Sequence, residues 1–174
     1  TARPYPKHSS LVEEFLKVVQ SSPDAMAVHA GDVQLSYAEL DARSWQLAEM
    51  LQRHPAWQPG CHIALMLEKD ERALIVMLAI LKSHGIYLPL AANTPLERVG
   101  DVLAAGTVPL LFAENEHMPT MSQLDVVLLD TDALLAEIAS GAATPVQTHD
   151  HILRYRNAVE QGAAEAGPAL AYLM

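Results

Sequence analysis

The run His62-Ile63-Ala64-Leu65-Met66-Leu67, followed after a polar turn by a helix ending in Leu81-Lys82-Ser83-His84-Gly85-Ile86-Tyr87-Leu88-Pro89-Leu90, decides the fold. From Ile63 the run is continuously apolar, so His62 to Leu67 reads as a strand covered on both faces in a parallel sheet. Asp70 is placed to cap the helix that follows, and Ala73 to Leu81 is apolar on nearly every side, which predicts burial between layers. Lys82 and His84 suit the carboxyl end of the helix dipole, and Gly85 is expected to supply the left-handed stop. Ile86 to Leu90 then reads as a short strand with Pro89 at its end.

Working outward, strands and helices keep alternating. Ser10-Leu11-Val12-Glu13 reads as a capping box opening a helix with an apolar face of Leu11, Val12, Phe15, Leu16 and Val19, ended by Pro23. Ala25 to Ala30 and Val33 to Ser36 read as short strands joined at Gly31-Asp32. Ser36-Tyr37-Ala38-Glu39 is a second capping box. The helix beyond it sets Leu40, Ser44, Leu47, Ala48 and Leu51 on one face and Asp41, Glu49 and Arg53 elsewhere. Thr94-Pro95-Leu96-Glu97 is a third box, opening a helix to about Ala105 with a stop at Gly106. Pro109 to Ala113 and Asp125 to Leu129 are expected strands, and Asp130 caps a helix through Ala139. Residues 140–168 read as loop and linker, with a weak helix from His151 to Gln161, before a last strand from Ala169 to Met174. The expected fold class is α/β, a layered, mostly parallel, doubly wound sheet.

Composition narrows the function classes. The 174 residues are 51% hydrophobic, which suits a folded α/β layer and not a disordered segment. A net charge of −10 argues against nucleic acid or an anionic membrane as partner. The apolar run from Ala73 to Leu81 is too short to span a bilayer, and no charged-then-apolar signal segment is read at the start, where Pro4 and Pro6 stand. With Cys61 as the single cysteine there is no disulfide framework, and the expected location is the cytoplasm.

Candidate chemistry is sparse. No Gly-x-x-x-x-Gly-Lys or Gly-x-Gly-x-x-Gly run is present to cradle phosphate. Ser140-Gly141-Ala142-Ala143-Thr144 lacks a lysine and a following helix start, and reads as a solvated loop. Thr148-His149-Asp150-His151 offers zinc-type donors, but His-x-His spacing splits the rings between helix faces, so a polar helix entrance is preferred. Cys61 precedes a buried strand with no base nearby and reads as a small core residue. Trp45 and Trp57 read as core or interface. Glu68-Lys69-Asp70-Glu71-Arg72 lies at the carboxyl end of a central strand, where open α/β sheets place ligands, yet a solvated loop with Asp70 capping is the preferred reading.

Two of these segments carry a resemblance. Leu35-Ser36-Tyr37-Ala38-Glu39-Leu40 and the later Leu81-Lys82-Ser83-His84-Gly85-Ile86-Tyr87-Leu88-Pro89-Leu90 resemble, in order and spacing, the first two core motifs of non-ribosomal peptide synthetase adenylation domains. Tyr5-Pro6, the stretch Pro23 to Val28, then Pro95, Glu97 and Arg98, and finally Leu170-Ala171-Tyr172 are similar to flanking features of that family. Departures occur at His84, where the family usually has glycine or alanine, at Ala91, usually aspartate, and near Thr94, where the family usually has an aromatic.

The resemblance implies that residues 1–174 are the N-terminal portion of the large domain of an adenylate-forming enzyme, ending before its ATP-phosphate loop. It implies a parent that uses ATP and magnesium to make an aminoacyl-AMP and loads a carrier-protein phosphopantetheine thiol. It transfers no catalytic, cofactor or metal residue to this chain, which is expected to be inactive alone. Its implied partners are the remainder of the adenylation domain and a peptidyl-carrier domain, with self-association through an incomplete sheet. A non-catalytic scaffold domain and an acyl-CoA synthetase fragment are the competing readings.

Overall fold

A computed structural model describes residues 11–141. The expectations at Ser10, at Tyr5-Pro6, over 142–168 (including Thr148 to His151) and at Leu170-Ala171-Tyr172 lie outside the described residues. The chain order is α1 (Leu11–Ser21), β1 (Met26–Ala30), β2 (Val33–Ser36), α2 (Tyr37–Arg53), β3 (His62–Met66), α3 (Glu71–Lys82), β4 (Ile86–Leu90), α4 (Leu96–Gly106), β5 (Leu110–Ala113), a 3-10 turn (Asn115–His117), α5 (Met118–Met121), β6 (Val127–Asp130) and α6 (Thr131–Ala139).

Strands β3 to β6 form a parallel sheet in the order β4-β3-β5-β6, and β1 and β2 pair separately as an antiparallel hairpin. Side-chain alternation divides the core between the two faces. Ile63, Leu65, Leu110 and Phe112 pack with α1, α2, α3 and α6. Ala64, Met66 and Leu111 pack with Val99 and Leu103 of α4 and Met121 of α5. Helices therefore cover both faces, which is the doubly wound arrangement. From Ile75 to Lys82 every residue of α3 is buried, and each large aliphatic side chain there contributes about 1.5–3 kcal/mol. Pro89, which has no amide hydrogen to donate, is accommodated because β4 is an edge strand of this sheet.

Several local expectations need correcting. The left-handed residue after α3 is His84, at φ 63°, and not Gly85. The His84 and Gly85 amides donate to the Leu81 and Ile80 carbonyls at 3.1 and 2.9 Å, a Schellman motif. Gly85 is required for space instead: a Cβ there would lie 2.9 Å from Ile63 Cδ1 and 3.3 Å from the Ile80 carbonyl oxygen. In α4 the left-handed residue is Thr107, at φ 50°, one position beyond the expected Gly106. The third capping box does not form, because the Thr94 hydroxyl donates to the Ala91 carbonyl at 2.6 Å and Pro95 caps the helix without a side-chain bond. The last described strand runs Val127–Asp130, two residues later than expected at its start, and the 3-10 turn and α5 fill a stretch for which the sequence pattern predicts no element.

Candidate functional site

From β3 the chain passes to β4 on one side, then returns across β3 to β5 on the other. The carboxyl ends of β3 and β5 thus flank a switch point, the place where open α/β sheets usually take ligands. Glu68 lies just beyond β3, and Glu114 directly follows β5. Asp70 caps α3 by accepting the Arg72 amide at 2.9 Å. The Arg72 guanidinium then meets Asp70 at 2.7 Å, Glu114 at 2.9 Å and Asp132 of α6 at 2.9 Å. Glu114, 3% exposed, also accepts the Glu68 amide at 3.0 Å through the same Oε1. Asp132 takes the Asn115 amide at 2.8 Å on its other oxygen.

Electrostatics follow from this fork. Arg72, hydrogen-bonded first to Asp70, has its proton affinity raised further. The Asn115 amide and then Arg72 hold the Asp132 carboxyl below the usual carboxylate range. The bonds join the ends of β3 and β5 to the starts of α3 and α6. The expectation of a solvated loop fails at Arg72, whose side chain is only 24% exposed. Chemically the cluster is a clamp whose cation already faces three carboxylates, an arrangement that positions backbone and repels further anions. Beside it, Leu65, Glu68, Tyr87, Pro89 and Asn93 line an open cleft of about 680 Å³ at the ends of β3 and β4.

The motif residues fall into two groups, both on the framework. Ser36 and Glu39 form a reciprocal capping box, each side chain bonding the other's amide at 3.1 Å. Leu35 and Leu40 are buried, and Tyr37 makes a tilted ring contact with Phe15 at 6.1 Å. Tyr87 of β4 faces the first core, while Leu88 and Leu90 face the second. Pro89 is exposed at the edge, and Pro95, Glu97 and Arg98 lie exposed at the start of α4. Leu81 is fully buried.

Lys82 does not reach solvent at the end of α3. Its ammonium donates to Asp41 Oδ1 at 2.7 Å and Ser44 Oγ at 2.6 Å, and sits 4.5 Å from the Trp45 ring centroid. Burial pushes this ammonium down to about 8 against the pull of Asp41. Asp41, expected away from the apolar face, is therefore on the buried one. Its spacing of three and four residues from Ser44 and Trp45 was the available signal. Cys61 and Trp57 pack partly buried against the same core.

Comparison with known proteins agrees with this framework. Residues 15–174 match the AMP-binding enzyme family. The chain belongs to that family. It is similar to cyclosporin synthetase of Tolypocladium inflatum, at 37% identity over 80% of the chain but only 1% of that protein. Gramicidin S synthase 2 of Brevibacillus brevis is 30% identical over 86% of the chain and 3% of its own length. Among solved structures, the non-ribosomal peptide synthetase FmoA3 bound to α-methyl-L-serine-AMP superposes with a TM-score of 0.68 at 27% identity, over 84% of this chain and 16% of that one. The N-terminal subdomain of Klebsiella oxytoca NpsA, at 24% identity, shares the fold with a TM-score of 0.66 over 73% of this chain and 32% of its own. The sequence is thus that of a peptide-synthetase adenylation domain over its N-terminal part, and the chain spans a small share of the relatives it matches. No helix among the described residues is long and apolar enough to cross a membrane.

Proposed function

We propose that this chain supplies the N-terminal framework of an ATP-dependent, amino-acid-activating adenylation domain that forms an aminoacyl-AMP and loads a carrier phosphopantetheine thiol. The reading rests on the family match over residues 15–174, supported by the likeness to the aminoacyl-AMP-bound FmoA3 structure. The remainder of the adenylation domain and a peptidyl-carrier domain are its proposed partners.

The carboxylates around Arg72 do not fit ATP. A triphosphate entering the switch point would meet Asp70, Glu114 and Asp132 around a cation already paired with all three. No step of adenylation is assigned to them, and magnesium enters this proposal only with the nucleotide. Their role is to hold the strand ends on which a reactive site is assembled.

The test is amino-acid-dependent exchange of pyrophosphate into ATP, run on the full-length polypeptide carrying this chain and on the 174 residues alone. Exchange by the former and none by the latter above a boiled control is the expected outcome. Absence of exchange with every amino acid in the full-length protein would leave the scaffold reading. Thioester formation on free coenzyme A with fatty acids would instead favour an acyl-CoA synthetase. Light scattering tests self-association, which a strict monomer at high concentration would refute.

A further inference from the structure

The crossovers of the parallel sheet share one hand. From β3 the chain steps outward to β4 through α3, which lies on the face of Ile63 and Leu65. It then moves the opposite way, past β3 to β5 and on to β6, through α4 and α5 on the face of Ala64 and Leu111. Reversing direction and face together preserves the hand, and parallel crossovers are right-handed in about 98% of cases.

Helix α6 changes face. It follows β6 but packs with α2 and α3, placing Leu134, Leu135 and Ile138 in the first core. A crossover of the same hand through α6 must therefore move back from β6 toward β4. The places of β5, β3 and β4 are filled, so the first free one for a following parallel strand is the outer edge of β4. That edge lies about 19 Å from β6, four spacings of about 4.8 Å. Residues 142–168 are long enough to cover this distance.

The edge itself is unprotected. The Ile86 amide donates to the Cys61 carbonyl, on the β3 side, at 2.8 Å. By alternation the Tyr87 N–H and C=O and the Pro89 C=O face outward. Ile86, Tyr87, Leu88 and Leu90 are half-buried, and no side chain of β4 carries a charge that would discourage pairing. Pro89 is next to last in the strand, so its missing donor costs an added ladder one bond near its end. The cleft lined by Leu65, Tyr87 and Pro89 leaves room beside β4 for a neighbour's side chains.

We infer that residues 169–174, Ala-Leu-Ala-Tyr-Leu-Met, pair in parallel with β4 and extend the sheet on that side. The segment is apolar throughout, as a strand covered on both faces requires. The inference rests on crossover handedness and the β4 edge, and is independent of the proposed adenylation activity.

The test is amide hydrogen exchange, read by NMR, on the full 174-residue chain and on its Ala171→Pro and Tyr172→Pro variants. Successive amides of a strand face opposite sides, so one of these prolines removes a bond to β4. The Tyr87 amide should be protected in the parent and exchange about tenfold faster or more in at least one variant. Leu88, whose amide faces β3, should be unchanged. On β6 the Val127 amide donates to the Pro109 carbonyl at 3.0 Å, which turns the Leu128 amide outward as the matching probe of the other edge. An unprotected Tyr87 amide in the parent would overturn the inference, and protection at Leu128 that the prolines abolish would move the strand beside β6. Tyr87 protection that survives both prolines would also overturn it, and a rise with protein concentration would then assign the edge to a second copy.

Discussion

Lys82 and Asp41, forty-one residues apart, form an ion pair of 2.7 Å with side chains 0% and 2% exposed. The pair joins the end of α3 to the first turns of α2. Phe15 and Trp45 supply aromatic faces to the ammonium at 5.2 and 4.5 Å. Removing one partner leaves an uncompensated buried charge, so Asp41→Ala and Lys82→Met should each cost about 3–5 kcal/mol. The double variant should lose clearly less than the sum. Urea unfolding of all four proteins measures this, and additivity within about 0.5 kcal/mol would contradict direct coupling.

Arg72→Lys tests the clamp. Lysine is a point charge and cannot present the fork that reaches Asp70, Glu114 and Asp132 together. Stability should fall by about 2 kcal/mol, less than for a fully buried pair because Arg72 retains some solvent contact. Hydrogen exchange of the Glu68 and Asn115 amides should rise in the variant, and unchanged protection would show that the clamp does not order these loops.

Acid should weaken the same region. Asp132 has a folded-state pKa held below its unfolded value, by the Asn115 amide first and Arg72 second. Its contribution is complete above the unfolded value near 4 and disappears as pH falls through the lower, folded value. Asp132→Asn should therefore be less stable than the parent at pH 6 and lose less on moving below pH 4. Parallel pH curves for the two proteins would refute this.

Gly85→Ala tests close packing. The added methyl would press on Ile63 Cδ1, Ile80 Cγ2 and the Ile80 carbonyl, at 2.9, 3.2 and 3.3 Å. The expected loss is about 1–3 kcal/mol. Chemical denaturation decides the matter, and a neutral result would mean that Ile63 can rotate away without cost.

Thr107→Gly should act in the other direction. Thr107 is exposed, β-branched and left-handed at φ 50°, while the Thr107 and Val108 amides close a Schellman motif on Ala104 and Leu103. Glycine removes the Cβ penalty, and a gain of about 1 kcal/mol is expected. A lower thermal midpoint would refute it.

Much of the layered fold was legible in local pattern. The apolar run from His62, the all-round apolar helix ending at Lys82 and the capping signals at Ser36, Asp70 and Asp130 each report on a few neighbouring residues. Their burial and capping require no distant information. The left-handed positions were harder to read, since glycine signals a tight place without saying whether φ or space is the reason. At Gly85 the reason is Ile63, a residue twenty-two positions earlier. The short helix after β5 leaves no trace in the pattern because it is a single turn, too brief to show a period.

By itself the amino-acid order determined the alternating strands and helices, the capping boxes that work and the family resemblance, because these depend on side-chain type at short spacing. Tertiary structure alone decided that Lys82 meets Asp41 and that Arg72 is shared between Asp70 and the distant Glu114 and Asp132. Charge does not reveal its partner in one dimension: α2, α3, β5 and α6 must pack before these groups share a neighbourhood.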